Sequence, residues 1–248
     1  MIKPNFLICG TQKGGTKALL QYLVQHPEIS MYPNEINYFS WEYDKDDSWY
    51  TAHFSENKFV GEKSPSYMLI PEVPERIHKF DSEMKLIFIL RNPIDRAYSH
   101  YWMNVRRGKE TRSFSQAIRE PELENKYGIN MYLSRGKYKE KLDRFRKYFP
   151  EENMLVLSSE ELRNDTDSSL LKVQRFLGFG DFDFDTSINT KVGNKPKSRY
   201  VTKMLQYRGI RNFPFLGNCL LLFNNRSEPY PPMKNEDRKF LEEYYAEK

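Results

Sequence analysis

The sequence predicts an α/β fold, a single domain in which a central parallel β-sheet carries helices on both faces. Short apolar runs alternate with helical patterns along the chain, as is typical of βαβ units. The run KLIFIL, Lys85–Leu90, is almost wholly apolar, which indicates a parallel strand covered on both faces. A glycine-rich turn joins the first run directly to a helical pattern, which gives a P-loop-like strand–loop–helix unit.

Four apolar runs are predicted as strands. They are Phe6–Cys9, Lys58–Val60, Lys85–Leu90 and Met154–Leu157. In parallel sheets of this kind, ligands bind beyond the carboxyl ends of the strands. We therefore expect functional residues just after Cys9, Val60 and Leu90.

Helices are predicted between these runs from the spacing of apolar residues. They cover Thr16–Gln25, Glu72–Phe80, Pro93–Arg107 and the segments 137–149 and 167–179. Pro93 suits a first helical turn, where its missing N–H costs nothing. Asp167 or Ser168 is expected to cap the last of these helices, and Gly178 to end it.

The composition predicts a soluble protein of a reducing compartment, here the cytoplasm. A chain of 248 residues can bury most of its unfolded surface, and the two cysteines, Cys9 and Cys219, make no disulfide framework. No apolar run approaches the roughly 20 residues that span a bilayer, and MIKPNFLIC lacks a signal-peptide pattern. The net charge of +5 suits an anionic ligand but does not separate cofactor, substrate and nucleic acid.

The loop Gly10–Gly15 has the glycine spacing of a nucleotide phosphate loop but an unusual lysine position. A Walker A loop reads G-x-x-x-x-G-K-[ST], whereas here Thr16-Lys17 reverse the final pair and Lys13 precedes the double glycine. The hydroxyl of the missing pair normally holds Mg²⁺, and the strand that could carry a metal aspartate ends in Arg91-Asn92. The loop is therefore predicted to bind a nucleotide phosphate without a metal ion.

Arg91 and Ser99 form a second candidate phosphate site. Arg91 follows the strand 85–90, and Ser99 lies about two turns into the next predicted helix. A guanidinium fork and a hydroxyl could together clamp one phosphate. The alternative for Arg91 is a structural salt bridge.

Glu35 and Lys63 are candidates for acid–base chemistry. Glu35 lies among the aromatic residues of YPNEINYFSWEY, which could partly desolvate it, as suits a general base. The segment GEKSPSYM offers Glu62 and Lys63, and Lys63 could orient Glu35 or steady an acidic substrate. Taken alone, Glu35 and Lys63 are better explained as solvated surface charges. His53 and His100 compete with Glu35 as the base.

Together these segments resemble the sulfotransferases that use PAPS (3′-phosphoadenosine 5′-phosphosulfate). The resemblance is to the branch containing the heparan sulfate O-sulfotransferases, the N-deacetylase/N-sulfotransferases and their bacterial relatives, and it runs from Phe6 to about Phe184. GTQKGGTKAL is similar to the family's loop for the 5′-phosphosulfate, and LRNPIDRAYSHY to its 3′-phosphate segment. NEINYFS, GEKSPSYM, PERI, SRGKYKEKLDRFRKYFP and LVLSSEEL follow in the family's order.

The resemblance implies roles for the phosphate-loop residues and for the segment after the third strand-like run. The backbone that would hold the 5′-phosphosulfate comprises Gly14, Gly15, Thr16, Lys17 and Ala18. Lys13 would bond the bridging oxygen as the sulfuryl group leaves, which explains why this lysine comes early. Arg91 and Ser99 would hold the 3′-phosphate.

The resemblance also implies the chemistry and the extent of the domain. Glu35 matches the family's general base, and Lys63 its neighbouring lysine. PAPS would be the donor and PAP the product, without a metal ion. The acceptor would be a hydroxyl of a glycan, a glycolipid or a small alcohol, although the N-sulfotransferases use a similar carboxylate. Residues 1–248 would form a single sulfotransferase domain.

The C-terminal region departs from the family. The animal glycan enzymes carry a disulfide-bonded hairpin and a Lys-Gly-Arg loop, where this chain has NTKVGNKPKSRYV and no cysteine pair. Lys195, Lys197 and Arg199 could replace the late 3′-phosphate contacts. The chain stops at FLEEYYAEK, short of the family's Trp-containing tail, so we expect a truncated C-terminus. This departure leaves the identity of the acceptor open.

Two other function classes compete with this interpretation. A P-loop kinase or NTPase is disfavoured by the reversed Thr16-Lys17 order and by the absent metal aspartate. A nucleic-acid-binding module is disfavoured because its basic residues alternate with acidic ones, as in KEKLDRFRKYF, which suits a phosphate backbone poorly.

Overall fold

The computed structural model describes residues 2–122, 130–187, 194–196, 201 and 225–246. The chain divides into two compact units. The first comprises Met1–Asn92 and Tyr138–Asn189, and the second comprises Pro93–Lys137 and Thr190–Lys248. A single domain over residues 1–248 stays a prediction.

The first unit is built on a parallel sheet of five strands. They are β1 Phe6–Gly10, β2 Ile29–Met31, β3 Phe59–Lys63, β4 Lys85–Leu90 and β5 Met154–Ser158, in the spatial order β2-β3-β1-β4-β5. The central strand, β1, pairs with a strand on each side, since its Phe6 lies opposite Gly61 of β3 and Lys85 of β4. The predicted parallel sheet is confirmed.

Helices follow most of the strands. They are α1 Thr16–Leu23, α2 Asp47–Thr51, α3 Val73–Phe80, α4 Pro93–Arg106, α5 Phe114–Arg119, α6 Tyr138–Arg146, α7 Ser159–Asn164, α8 Thr166–Leu177 and α9 Asn235–Ala246. Short 3₁₀ turns lie at Ser134–Gly136 and Glu151–Asn153. In the described ranges, no helix is long and apolar enough to cross a bilayer.

Both faces of the sheet are covered, because side chains alternate along each strand. Leu7 and Phe88 point into a core shared with α3 and α6. Ile8 and Ile89 point the other way, into a core shared with α1 and α8. The predicted α/β architecture with helices on both faces is thereby confirmed.

The second unit packs α4, α5 and α9 around an aromatic core that includes Tyr98, Trp102 and Phe114. A buried carboxylate helps to hold α9, since Arg119 Nη1 lies 2.6 Å from Asp237 Oδ1. The short strands β6 Asn194–Pro196 and β7 Asn225–Pro229 pair antiparallel in this unit.

Several boundaries differ from the predictions. β3 extends to Lys63, so Glu62 and Lys63 belong to the strand instead of following it. β2 was not predicted, because its three residues carry too short a pattern between two prolines. Asp165, and neither Asp167 nor Ser168, caps α8 by accepting the Ser168 N–H at 3.3 Å.

The end of α8 agrees with the prediction, because Gly178 closes the helix in the left-handed region with φ 83°. Within the described ranges, four helices were not predicted. They are α2, α5, α7 and α9. The first three are only five or six residues long, too short for a clear helical period.

Candidate active site

The loop between β1 and α1 is so tight that two of its positions require glycine. The Gly14 N–H donates to the Thr11 carbonyl at 2.8 Å, and a Cβ on Gly14 would lie 2.3 Å from the Ile89 carbonyl oxygen. Gly15 has φ 105°, a conformation that only glycine adopts readily. Lys13 also lies in the left-handed region, with φ 72°. This conformation is uncommon for a residue with a side chain, so the surrounding loop must hold Lys13 in it.

The N-terminus of α1 presents backbone donors. Its N-cap, Gly15, has no side chain to satisfy them, and the first turn contains no acidic residue. The Ala18 N–H turns into the helix and donates to the Gly15 carbonyl at 2.8 Å. The amides of Thr16 and Lys17 lie in the first turn, where backbone N–H groups have no intrahelical acceptor, and they carry the positive end of the helix dipole. This arrangement can bind an anion.

Arg91 follows β4 beside this loop. The Thr11 N–H donates to the Ile89 carbonyl at 2.7 Å, which fastens the loop to β4 two residues before Arg91. The Arg91 Nε is buried and has no hydrogen-bond partner among the described residues. Leaving a buried donor unsatisfied costs about 1–3 kcal/mol, so the guanidinium suits an anionic ligand. The alternative, a structural salt bridge, is not formed within the described part of the chain.

Ser99 and His100 lie in α4 of the second unit. Ser99 is buried, and its pairing with Arg91 stays a prediction. His100 is buried too, with its Nε2 3.3 Å from Asn104 Nδ2 and its ring edge-on to Tyr132 at 4.9 Å. These contacts give His100 a packing role inside its unit.

Glu35 and Lys63 meet, as the sequence suggested. Lys63 Nζ lies 2.6 Å from Glu35 Oε1, with 8% of the Lys63 side chain exposed and 46% of that of Glu35. The expectation that aromatic residues desolvate Glu35 is wrong. Tyr38 and Phe39 are buried in the core, whereas Glu35 lies at the surface of its loop. The ion pair therefore joins a buried ammonium to a reachable carboxylate.

The desolvated carboxyl of this region is Glu62, to which the sequence assigned no role. Glu62 lies in β3 and is fully buried. Its Oε2 accepts the Ser64 hydroxyl at 2.6 Å, and its Oε1 accepts the hydroxyls of Tyr50 and Tyr67. Burial raises the pKa of the Glu62 carboxyl, and these hydrogen bonds, with one from the Ile36 amide, oppose the rise. The alternation of a strand could have indicated its burial, had β3 been predicted at full length.

The raised pKa of Glu62 predicts a pH dependence of stability. The folded state keeps this proton at a pH where the unfolded carboxyl, with its ordinary pKa of 4.5, has lost it. Below the pKa of the unfolded carboxyl, Glu62 makes its whole contribution to the free energy of unfolding. That contribution is lost as pH rises through the raised pKa of the folded state. Relative to the unsubstituted chain, Glu62→Gln should therefore become more stable as pH rises above 4.5.

Urea unfolding at several pH values between about 4 and 8 measures this difference. The matched control is Glu28→Gln, a half-exposed carboxylate that pairs with Lys58 at 3.2 Å. The difference in the free energy of unfolding between Glu28→Gln and the unsubstituted chain should not rise with pH in this way. A Glu62→Gln difference that stays constant over the same range would contradict the prediction.

His53 has a packing environment. Its Nδ1 lies 2.9 Å from the Trp49 carbonyl oxygen and 3.2 Å from that of Tyr50. Its ring packs against Trp49 and Tyr32 with centroids 4.6 and 5.1 Å away. These contacts hold the ring at the C-terminal end of α2.

The late basic residues are not placed by the structure. Lys197 and Arg199 lie outside the described residues, and Lys195 belongs to β6, where the backbone alone is described. In the ranges that the structure describes, no three or more His, Cys, Asp or Glu side chains form a cluster that could hold a metal ion.

Comparison with known proteins identifies the family. The sulfotransferase domain family matches residues 3–248, which is nearly the whole chain. The chain is a sulfotransferase-family protein. The resemblance inferred from the sequence motifs is thereby confirmed.

Curated relatives of this sulfotransferase-family chain include glycan enzymes. It is 34% identical over 178 residues to mouse heparan sulfate glucosamine 3-O-sulfotransferase 6, a match that covers 71% of this chain and 52% of the relative. The chain spans about half the length of most of the curated relatives it matches. The similarity therefore applies to the domain that this chain shares with these relatives.

Solved structures share its fold. A sulfotransferase from Alicyclobacillus acidocaldarius matches with a TM-score of 0.70 and 26% identity, over 91% of this chain and 98% of that one. The mouse sulfotransferase SULT7A1, solved with PAP, matches with a TM-score of 0.55 and 16% identity, over 98% and 83% of the two chains. The second likeness shows the fold alone.

Proposed function

We propose that this sulfotransferase-family chain transfers the sulfuryl group of PAPS to a carbohydrate hydroxyl. The proposal rests on the position of the phosphate loop and of the Glu35–Lys63 pair. Both lie at the carboxyl ends of neighbouring strands of the sheet. β1 and β3 are parallel neighbours. The segment after Lys63 is bound to β1, since the N–H groups of Ser64 and Met68 donate to Ile8 and Cys9 at 3.1 and 3.2 Å.

The residues present fit PAPS. The amides of Thr16 and Lys17 suit the 5′-phosphosulfate, and the Nε of Arg91, which has no partner among the described residues, suits the 3′-phosphate. A Cβ on Gly14 would collide with the Ile89 carbonyl oxygen, so glycine at this position lets the loop pack closely against β4. When bound, PAPS supplies an activated sulfuryl group, and Ser99 is proposed as a further 3′-phosphate contact.

Each remaining residue has a role in an in-line displacement. The acceptor oxygen forms a bond to sulfur as the bond between sulfur and the bridging oxygen breaks, and PAP keeps that electron pair. Glu35 takes the acceptor's proton, and Lys63 orients the Glu35 carboxylate. Lys13 stabilises the charge that grows on the leaving oxygen, an effect worth several kcal/mol in comparable sites.

A glycan is the acceptor class best supported. The relatives named heparan sulfate glucosamine 3-O-sulfotransferases act, by name, on a sugar hydroxyl. The test is transfer from labelled PAPS to a panel containing heparan sulfate, a neutral glycolipid and simple alcohols. Label in heparan sulfate would support the proposal, and label in the alcohols alone would contradict the carbohydrate assignment.

We expect PAP to raise the melting temperature in the presence of EDTA, because the loop presents backbone donors and Arg91 without needing a metal ion. PAP at 100 times its Kd should add about 2.7 kcal/mol to the free energy of unfolding. A thermal-shift titration measures this. Arg91→Ala should weaken PAP binding at least about tenfold, since it removes a charge-assisted hydrogen bond.

The control for this titration is Arg163→Ala, an exposed arginine of α7. It should leave the PAP-dependent shift unchanged. A flat titration with PAP beside a clear shift with MgATP would overturn the sulfotransferase proposal and favour a kinase.

A further inference from the structure

We propose that Glu62 is a positioning residue, which holds the loop that carries Glu35 through the hydroxyl of Ser64. This inference rests on the proposed function, in which Glu35 is the general base. Glu62 itself is fully buried and cannot reach an acceptor. Its influence must therefore pass through the residues that it contacts.

The two oxygens of Glu62 have different partners. Oε1 accepts the hydroxyls of Tyr50 and Tyr67, two core residues that are also fully buried. Oε2 accepts the Ser64 hydroxyl at 2.6 Å. The Ile36 amide, next to Glu35 in the chain, also donates to this carboxyl, so Ser64 and Ile36 are the partners that connect Glu62 to the Glu35 loop.

The Ser64 hydroxyl links the carboxyl to the loop backbone. Its oxygen accepts the backbone N–H of Asn37 at 2.9 Å. A hydroxyl has one proton, and here that proton is donated to Glu62 Oε2. The Glu62 carboxyl thus orients the Ser64 hydroxyl so that one of its lone pairs faces the Asn37 amide. Hydrogen bonds in such a chain strengthen one another.

Asn37 is the anchor of the loop, two residues after Glu35. It lies in the left-handed region with φ 59°. Its carbonyl accepts the N–H groups of the next turn, from Ser40, Trp41 and Glu42, at 3.1, 2.9 and 3.2 Å. Its side-chain Oδ1 accepts the Ser66 hydroxyl at 2.6 Å. The bond from Asn37 to Ser64 therefore fixes the point at which this turn meets β3.

Consecutive residues of β3 hold the same loop at two places. Lys63 holds the side chain of Glu35 at 2.6 Å, and Glu62 holds the backbone through Ser64 and Asn37. Two fixed points are needed to aim a half-exposed side chain, because one ion pair leaves the rest of the loop free to turn. Such support is what keeps a catalytic group within a fraction of an ångström of its working position.

Stability alone does not account for Glu62. A buried carboxyl is costly compared with an aliphatic side chain of similar size, even when it is hydrogen-bonded. Leu7, its partner on β1, and Val60, two residues before it in β3, are apolar residues of the core. The carboxyl is explained by its polar contacts, of which those from Ser64 and the Ile36 amide reach the Glu35 loop.

The first test reads the loop directly, by hydrogen exchange of the free chain with mass spectrometry. In Glu62→Gln, a single amide oxygen replaces two carboxyl oxygens, so either Ser64 or the tyrosines lose their acceptor. In Ser64→Ala, the acceptor of the Asn37 N–H is gone. In both variants, we expect exchange in a peptide spanning 34–42 to become roughly tenfold faster, while α8 is unaffected.

The second test uses PAPS as donor and heparan sulfate as the acceptor probe. Both single variants should lower kcat roughly tenfold, while the KM for PAPS and the Kd for PAP stay within about twofold. The losses in the double variant should be less than multiplicative, because both changes act on one hydrogen-bond network. Glu28→Gln, an exposed carboxylate outside this network, should leave kcat unchanged.

The outcomes separate this inference from the proposed function. Unchanged loop exchange in Ser64→Ala, or losses that multiply in the double variant, would overturn the positioning role. Ser64→Ala decides alone if Glu62→Gln fails to fold, since it leaves the carboxyl in place. If no acceptor takes label from PAPS, the proposed function fails, and the positioning role for sulfuryl transfer fails with it. The exchange result then still decides whether Glu62 holds the loop.

Discussion

Replacing Glu35 with glutamine is expected to lower the kcat of sulfuryl transfer by about 10²–10⁴-fold, the usual contribution of a positioned proton acceptor. Glutamine keeps the shape of the side chain and can still accept a hydrogen bond from Lys63, which lies 2.6 Å from Glu35 Oε1. It cannot take the acceptor's proton. PAP affinity should stay nearly unchanged, because Glu35 makes no proposed contact with the nucleotide.

A closely matched control exists for this variant. Glu28 is 45% exposed and pairs with Lys58 at 3.2 Å, as Glu35 is 46% exposed and pairs with Lys63. Glu28→Gln therefore removes the same charge from a carboxylate of similar exposure, paired with an exposed lysine where Glu35 has a buried one, and should leave kcat unchanged. His53→Ala and His100→Ala complete the comparison. If Glu35→Gln keeps more than about a tenth of the activity while a histidine variant loses it with PAP binding intact, the base is misassigned.

Lys13→Ala is expected to lower kcat by about 10²–10³-fold, with a smaller effect on PAP affinity. This is the range observed when one donor to a developing negative charge is removed. Lys13 is held with φ 72° in the loop that turns back against β4, so its backbone is committed to this position. The negative charge that Lys13 would stabilise develops on the leaving oxygen only as the bridging bond breaks. An interaction that is made only in the transition state raises kcat, so its loss lowers kcat.

Steady-state kinetics over a range of PAPS concentrations separates the two parameters. Lys58→Ala serves as the control, since Lys58 is an exposed lysine of the first unit that the proposed site does not use. The leaving-group role of Lys13 is falsified if Lys13→Ala leaves kcat within about twofold and raises only the KM for PAPS.

The carboxylates of this region show why sequence and structure disagree about burial. Glu35 lies among aromatic residues in the sequence, yet almost half of its side chain is exposed. Glu62 lies beside glycine, lysine and serine in the sequence, yet it is fully buried. Burial is decided by which face of a strand or loop meets the core, and neighbours along the chain do not determine that face.

Much of the fold could be predicted because its signals are local. The apolar run Lys85–Leu90 matches β4 at both ends, and Gly178 ends α8 as predicted. Short elements were missed, since β2 and α2 are three and five residues long and carry too little periodicity to stand out.

The amino-acid order by itself indicated the family, through several motifs in a fixed order, and it predicted a phosphate-bearing ligand, because spacing within one loop controls backbone conformation. Gly14 and Gly15 stand where a side chain would collide or strain, and Lys13 stands before them. The tertiary structure alone decided which distant residues meet. Lys63 and Glu35 are 28 positions apart, and Ser64 and Asn37 are 27 apart. Their contacts exist because β3 lies beside β2 in the sheet, a pairing that no short stretch of sequence encodes.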